Sequence, residues 1–144
     1  MKKHVWYING DAAKQAAIAV WGDNHWSAKD SPTKAAEAVA NYIKRSVFYD
    51  FMTARQIEGG MIASYTPDLE KAIKTNRGIC QDYAWLFTVM LEALNVPCHT
   101  IYGMADGVCH AWNTVYLGGK WVRRDLTYEQ RGIKVKRYSG HRVG

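Results

Sequence analysis

No stretch of this sequence stays apolar for the roughly 20 residues that a bilayer-spanning helix needs, so no membrane span is expected. Cysteine occurs three times, an odd number without close pairing. That argues against a disulfide framework and for thiols that stay reduced. Nor is there a C-x2-4-C pair of the kind zinc sites use. The neighbours Cys98-His99 and Cys109-His110 would point to opposite faces of a strand, so no metal or other cofactor is expected and Cys98 and Cys109 read as core thiols. Acidic residues are missing after Glu129, where Arg131, Lys134, Lys136, Arg137 and Arg142 follow, and the formal charge of the whole chain is +6. No nucleic-acid-binding motif accompanies these bases. They read as a solvated basic tail, with an acidic protein or cell-wall partner as the alternative. The start "MKKHVWYINGDAAKQ" carries lysines but lacks the apolar segment of a signal peptide. It reads as no export signal, which fits a cytoplasmic protein or an excised domain of an exported one.

What remains is ordinary globular composition, 48% hydrophobic and 22% charged over 144 residues. Repeats, low-complexity runs and linkers are absent, so residues 1–144 are expected to form a single domain. Helices come first. "DAAKQAAIAVWGDN" offers Asp11 as N-cap and Gly22 as stop. "DSPTKAAEAVANYIKRSVFYD" offers Ser31 as N-cap, Pro32 at the first helical position, and an apolar stripe of Ala35, Val39, Tyr42 and Ile43. Between Asp50 and Tyr65 the pattern is lost, and Gly59-Gly60 marks a loop. "TPDLEKAIKTNRG" predicts a short helix capped by Thr66 with Pro67 inside it.

The stretch "GICQDYAWLF" places Cys80 where a glycine turn meets a new helix. Ile79, Tyr83, Leu86, Phe87, Met90, Leu91 and Leu94 give that helix its apolar spacing, and Asn95 and Pro97 end it. A thiol at a helix N-terminus faces unpaired N–H groups and the positive end of the dipole. Cys80 is therefore the candidate nucleophile, with an expected pKa below the free value of about 8.5.

Beyond Pro97 the period changes to two. "CHTIYGM", "HAWNTVYL" and "KWVRRDLT" predict strands, so the fold class is α+β with an antiparallel sheet after the helices. Gly118-Gly119 predicts a two-residue hairpin, because both central positions need positive φ. Leu117 then faces Lys120, and counting back pairs Asn113 with Arg124 and Trp112 with Asp125. His110, Trp112, Thr114 and Tyr116 share a face with Trp121, Arg123, Asp125 and Thr127. Asp125 becomes a diagonal neighbour of His110. The pair supplies a base and the carboxylate that orients it, which is what a thiol nucleophile attacking an amide requires. The Cys80 backbone N–H is one oxyanion donor; Gln81 and Asn76 are the candidates for the second. Trp112 and Trp121 are expected to pack beside the site and shield it from water.

These residues carry a family resemblance. Gly78-x-Cys80 opening a helix, Ala84 four residues on, a turn at Pro97, then His110-Ala111-Trp112-Asn113, Trp121, and Asp125-x-Thr127 resemble the transglutaminase-like superfamily of papain-type cysteine enzymes. The likeness spans about residues 77–128, the motif core, and extends more loosely back to Ser31. Leu126 departs from it, standing where many members have proline. The resemblance implies a papain-like core, with N-terminal helices packed on a C-terminal antiparallel sheet, and a Cys80, His110, Asp125 triad. Gln81 and Trp112 are the further cleft residues expected. Peptide or protein is the implied substrate. Hydrolysis is favoured over cross-linking, since a small open cleft does not exclude water from an acyl-enzyme. The additional β domains of animal transglutaminases do not follow, so a calcium-dependent cross-linker is not expected. A catalytically inactive binding module is the alternative.

Overall fold

A computed structural model describes residues 10–24, 31–57 and 65–144 of the chain. Small residues decide how its first helices pack. Helix α1 (Asp11–Asn24) buries Ala13, Ala17 and Val20 and runs on through Gly22, which therefore does not end it. Helix α2 (Pro32–Ser46) has Pro32 at its start, where the missing N–H costs nothing. It buries Ala35, Ala36, Val39, Ala40 and Ile43, while Tyr42 is half-buried. Ser31 holds the N-cap position but makes no side-chain cap bond.

After Asp50 the chain is not irregular as expected. Strand β1 (Phe48–Tyr49) leads into helix α3 (Phe51–Gln56), capped by Asp50 Oδ1 accepting from Thr53 N at 3.1 Å. Gly59-Gly60 lies outside the described residues. Helix α4 (Leu69–Thr75) is capped by Asp68, which accepts from Lys71 N at 3.1 Å. Thr66 is thus not the cap, and Pro67 precedes the helix. Strand β2 (Arg77–Gly78) pairs in parallel with β1, and Gly78 is the last residue but one before helix α5 (Cys80–Ala93).

Helix α5 is central. Every residue from Gln81 to Leu91 is buried, against α1 and α2 on one side and the sheet on the other. A helix covered all round has no polar stripe, so its apolar spacing marks only part of what it buries.

The sheet contains β3 (Cys98–Ala105), β4 (Val108–Leu117), β5 (Lys120–Arg124) and β6 (Tyr138–Arg142), in the antiparallel order β5-β4-β3-β6. Gly118 and Gly119 have φ of 59° and 84°, and the hairpin pairs Leu117 with Lys120 through Asn113 with Arg124. The expected register is observed as far as Asn113 with Arg124, and the expected Trp112–Asp125 pair does not form. Strand β5 nevertheless stops at Arg124 rather than running to Thr127. Asp125 turns the chain by capping helix α6 (Leu126–Arg131), its Oδ1 accepting from Tyr128 N at 3.1 Å. Leu126 sits at the first helical position, one of the few where proline and other residues interchange without a lost hydrogen bond.

The basic tail is also more than a solvated segment. Asp106 accepts from Lys136 N at 2.9 Å and Arg137 N at 2.8 Å, and β6 then pairs along β3 with Gly140 facing Gly103. A Cβ on Gly103 would come within 2.1 Å of the Ser139 carbonyl oxygen, so the close strand approach requires glycine there. Asn113 ties sheet to helix: its Nδ2 donates to Ala84 O at 2.8 Å and Thr88 Oγ1 at 3.0 Å. Among the described residues no helix is long and apolar enough to cross a membrane.

Candidate active site

Cys80 is the first residue of α5, reached through the β1–β2 pairing that fixes Gly78. Ile79, at the cap position, has no side-chain acceptor, so the N–H groups of the first turn are left for other partners. Asp82 Oδ2 accepts from Ile79 N at 2.9 Å and from the Tyr65 hydroxyl. A Cβ on Gly78 would lie 2.7 Å from Asp82 Cβ, which explains the glycine two residues before the cysteine.

Two cavities of about 370 and 410 Å³ meet at Cys80, Gln81, Cys109 and His110. The first is walled by Tyr49, Ile57, Ile79, Val108 and Tyr128, with Arg131 at its rim. The second runs past Tyr65, Tyr102, Gly103, Met104 and His141.

His110 comes from β4 and is 7% exposed; Asp125 comes from the β5–α6 corner and is 6% exposed. His110 Nε2 lies 2.8 Å from Asp125 Oδ2. The same oxygen accepts from the Tyr138 hydroxyl at 2.8 Å. The imidazole lies between rings, 3.9 Å from Tyr128 and 6.0 Å from Trp112, both stacked. Its orientation is thereby held from three sides, and Nδ1 is the ring nitrogen the carboxylate does not engage.

Electrostatics correct one expectation. Burial pushes the Cys80 thiol up to about 12, not below the free value. The backbone N–H groups of Ala111 and Gln81 pull the other way, and the negative charges of Asp125 and Asp82 add to the rise. The helix terminus is present, but desolvation outweighs it. Burial also raises Asp82 to about 6, against the Tyr65 and Ile79 hydrogen bonds that lower it.

Other expected residues fall differently. Gln81 borders both cavities. Trp112 is buried, borders neither, and supports His110 from behind. Trp121 is 46% exposed and stacks on His99 at 4.4 Å, bordering neither cavity, on β5 at the edge of the sheet. Asn76 is exposed, ends α4 in a left-handed conformation and borders neither cavity. Cys98 is a core thiol, whereas Cys109 is exposed at the cavity rim and not in the core. Tyr102, Tyr128 and Tyr138 were not anticipated. Tyr128 could have been found from its place three residues after Asp125; no local signal marks Tyr138.

With this geometry in view, the chain belongs to the transglutaminase-like superfamily, whose family model matches residues 19–126. Kyphoscoliosis peptidase of Mus musculus is 31% identical over 110 residues, covering 68% of this chain and 16% of the mouse protein. The Homo sapiens protein of that name is 32% identical over 103 residues, covering 63% and 15%. The chain thus spans about a sixth of the length of these curated relatives. A candidate cysteine protease from Cytophaga hutchinsonii shares the fold with a TM-score of 0.59 at 21% identity, over 84% of this chain and 38% of its own. A structure described as a TGase does so with a TM-score of 0.65 at 21% identity, over 91% and 35%.

Proposed function

We propose that this chain is a thiol-dependent amide-bond enzyme acting on peptide or protein, with Cys80 as nucleophile, His110 as base and Asp125 as the group that orients it. The observation that carries this reading is the buried His110–Asp125 pair, whose imidazole shares a cavity wall with a helix-opening cysteine. In the proposed reaction Cys80 Sγ gives its proton to the free His110 nitrogen as it attacks the substrate carbonyl. The Cys80 backbone N–H stabilises the oxyanion. Collapse breaks the C–N bond, and the imidazolium returns the proton to the leaving amine. Water then attacks the thioester with His110 again as base, releasing the acid and the free thiol. Asp125 holds the imidazole and stabilises its charged form throughout. With the thiol pushed up by burial, this reading has proton transfer to His110 accompany the attack.

Hydrolysis is favoured over transfer to an amine, since both cavities open to solvent beside Cys80. The raised thiol is also the observation that favours the second reading, an inactive binding module. Burst kinetics with an activated ester decide between them. An acyl-enzyme on Cys80, lost in Cys80→Ala and in His110→Ala, is the expected result. A folded wild-type protein that forms no acyl-enzyme with any donor overturns the enzyme reading.

A further inference from the structure

The tetrahedral intermediate of acyl transfer is best held by two donors, and the first turn of α5 supplies a backbone one. Gln81, next to the cysteine, is 8% exposed yet borders both cavities. An amide can present either oxygen or nitrogen to such a space, and its partners decide which. Trp85, one turn further along α5, donates Nε1–H to the Tyr102 hydroxyl oxygen at 2.9 Å. Indole nitrogen is a donor only, so the phenol must accept there and send its own proton elsewhere. It sends it to Gln81 Oε1, 2.8 Å away. Burial pushes Tyr102 up to about 12, so the phenol keeps that proton at neutral pH. Gln81 Oε1 is thereby tied to the sheet. Its Nε2 makes no hydrogen bond to a described residue and is not sealed from the cavities.

We propose that Gln81 Nε2 is the second oxyanion donor, aimed at the cavity by the chain Trp85 to Tyr102 to Gln81. Gln81 is in this sense a catalytic residue, whereas Trp85 and Tyr102 are positioning residues that act through it. The inference rests on the acyl-transfer reading. It adds a donor that strengthens as the carbonyl oxygen gains charge, so it lowers the barrier without tightening ground-state binding.

Acylation of Cys80 by an activated ester, followed to saturation, separates the rate constant from the binding constant. Gln81→Ala is expected to lower the acylation rate constant about 100-fold with little change in binding. Gln81→Glu keeps the side-chain length and the bond to Tyr102 but offers no N–H, and should lose at least as much. Tyr102→Phe should lose less, because the amide then visits the right orientation part of the time. In a double-mutant cycle, Tyr102→Phe should have no effect once Gln81 is alanine. Gln81→Glu that melts like wild type and acylates as fast overturns the donor role alone. Equal Tyr102→Phe losses in both backgrounds overturn the relay. Wild type that never acylates overturns this inference together with the function on which it rests.

Discussion

Tyr138 and His110 share one acceptor: each lies 2.8 Å from Asp125 Oδ2, the phenol from β6 and the imidazole from β4. Arg123 sits over the Tyr138 ring at 4.0 Å, and Trp112 packs against it at 4.8 Å. The carboxylate is therefore fixed by a strand that the sequence reading treats as a tail. Tyr138→Phe keeps the ring and removes the hydroxyl. It should lower kcat about 10-fold, the worth of one hydrogen bond to a charged acceptor, with KM nearly unchanged. Steady-state kinetics and a melting curve check it; unchanged kcat would leave Tyr138 with packing alone.

Asp125 caps α6 and, in the proposed triad, also orients His110, and substitutions can separate the two. Asparagine still caps α6 but holds the imidazole in the wrong tautomer, so Asp125→Asn should melt close to wild type and lose about 10⁴ in kcat. Asp125→Ala also removes the cap and should cost about 1 kcal/mol of stability. Residual activity is expected in both. Matching melts for the alanine and asparagine variants would argue against the cap.

The Cys80 thiol, pushed up to about 12 by burial, should carry no thiolate at neutral pH. The difference in absorbance near 240 nm between wild type and Cys80→Ser should be flat through neutrality and appear only in strong base. Exposed Cys109 should then react with iodoacetamide faster than Cys80. A Cys80 thiolate band at roughly pH 6 would show that the helix terminus and His110 outweigh desolvation.

Asp82 is 1% exposed and raised to about 6, so the fold favours its protonated form. The folded protein then binds this proton more tightly than the unfolded chain. The favourable contribution is complete below about pH 4 and is lost as pH rises through about 6. Asp82→Asn should gain stability relative to wild type over that interval, by an amount on the order of 3 kcal/mol. Melting curves of both proteins at several pH values measure it. A difference independent of pH would place the Asp82 titration outside this window.

The hairpin register was legible because Gly118 and Gly119 admit one turn geometry and the period of two does the rest. With the register came the His110–Asp125 contact. Cys80 at a helix start was legible from the local pattern. Its raised pKa was not, because a local pattern registers the helix dipole and says nothing about desolvation by burial or the nearby charges of Asp125 and Asp82. Helix α3 left no trace since it buries no side chain, and hydrophobic spacing is what betrays a helix. Strand β6 was hidden for a similar reason. Its "YSGHR" is largely exposed, and its place is set by backbone pairing with β3 and by glycines that let two strands approach. The role of Trp121 was misplaced because a face assignment fixes the side of a sheet but not the position along it.

Strand β6 also bears on how the domain can be cut. A fragment ending at residue 126, where the family match ends, would contain Cys80, His110 and Asp125. It would lack the strand that covers Ile101 to Ala105. The uncovered N–H and C=O groups of β3 would then form an open sheet edge, bordered by the half-buried Ile101 and Tyr102 and by Met104 at 41% exposure. Such an edge invites pairing between copies, so the shortened domain should aggregate before its chemistry can be measured.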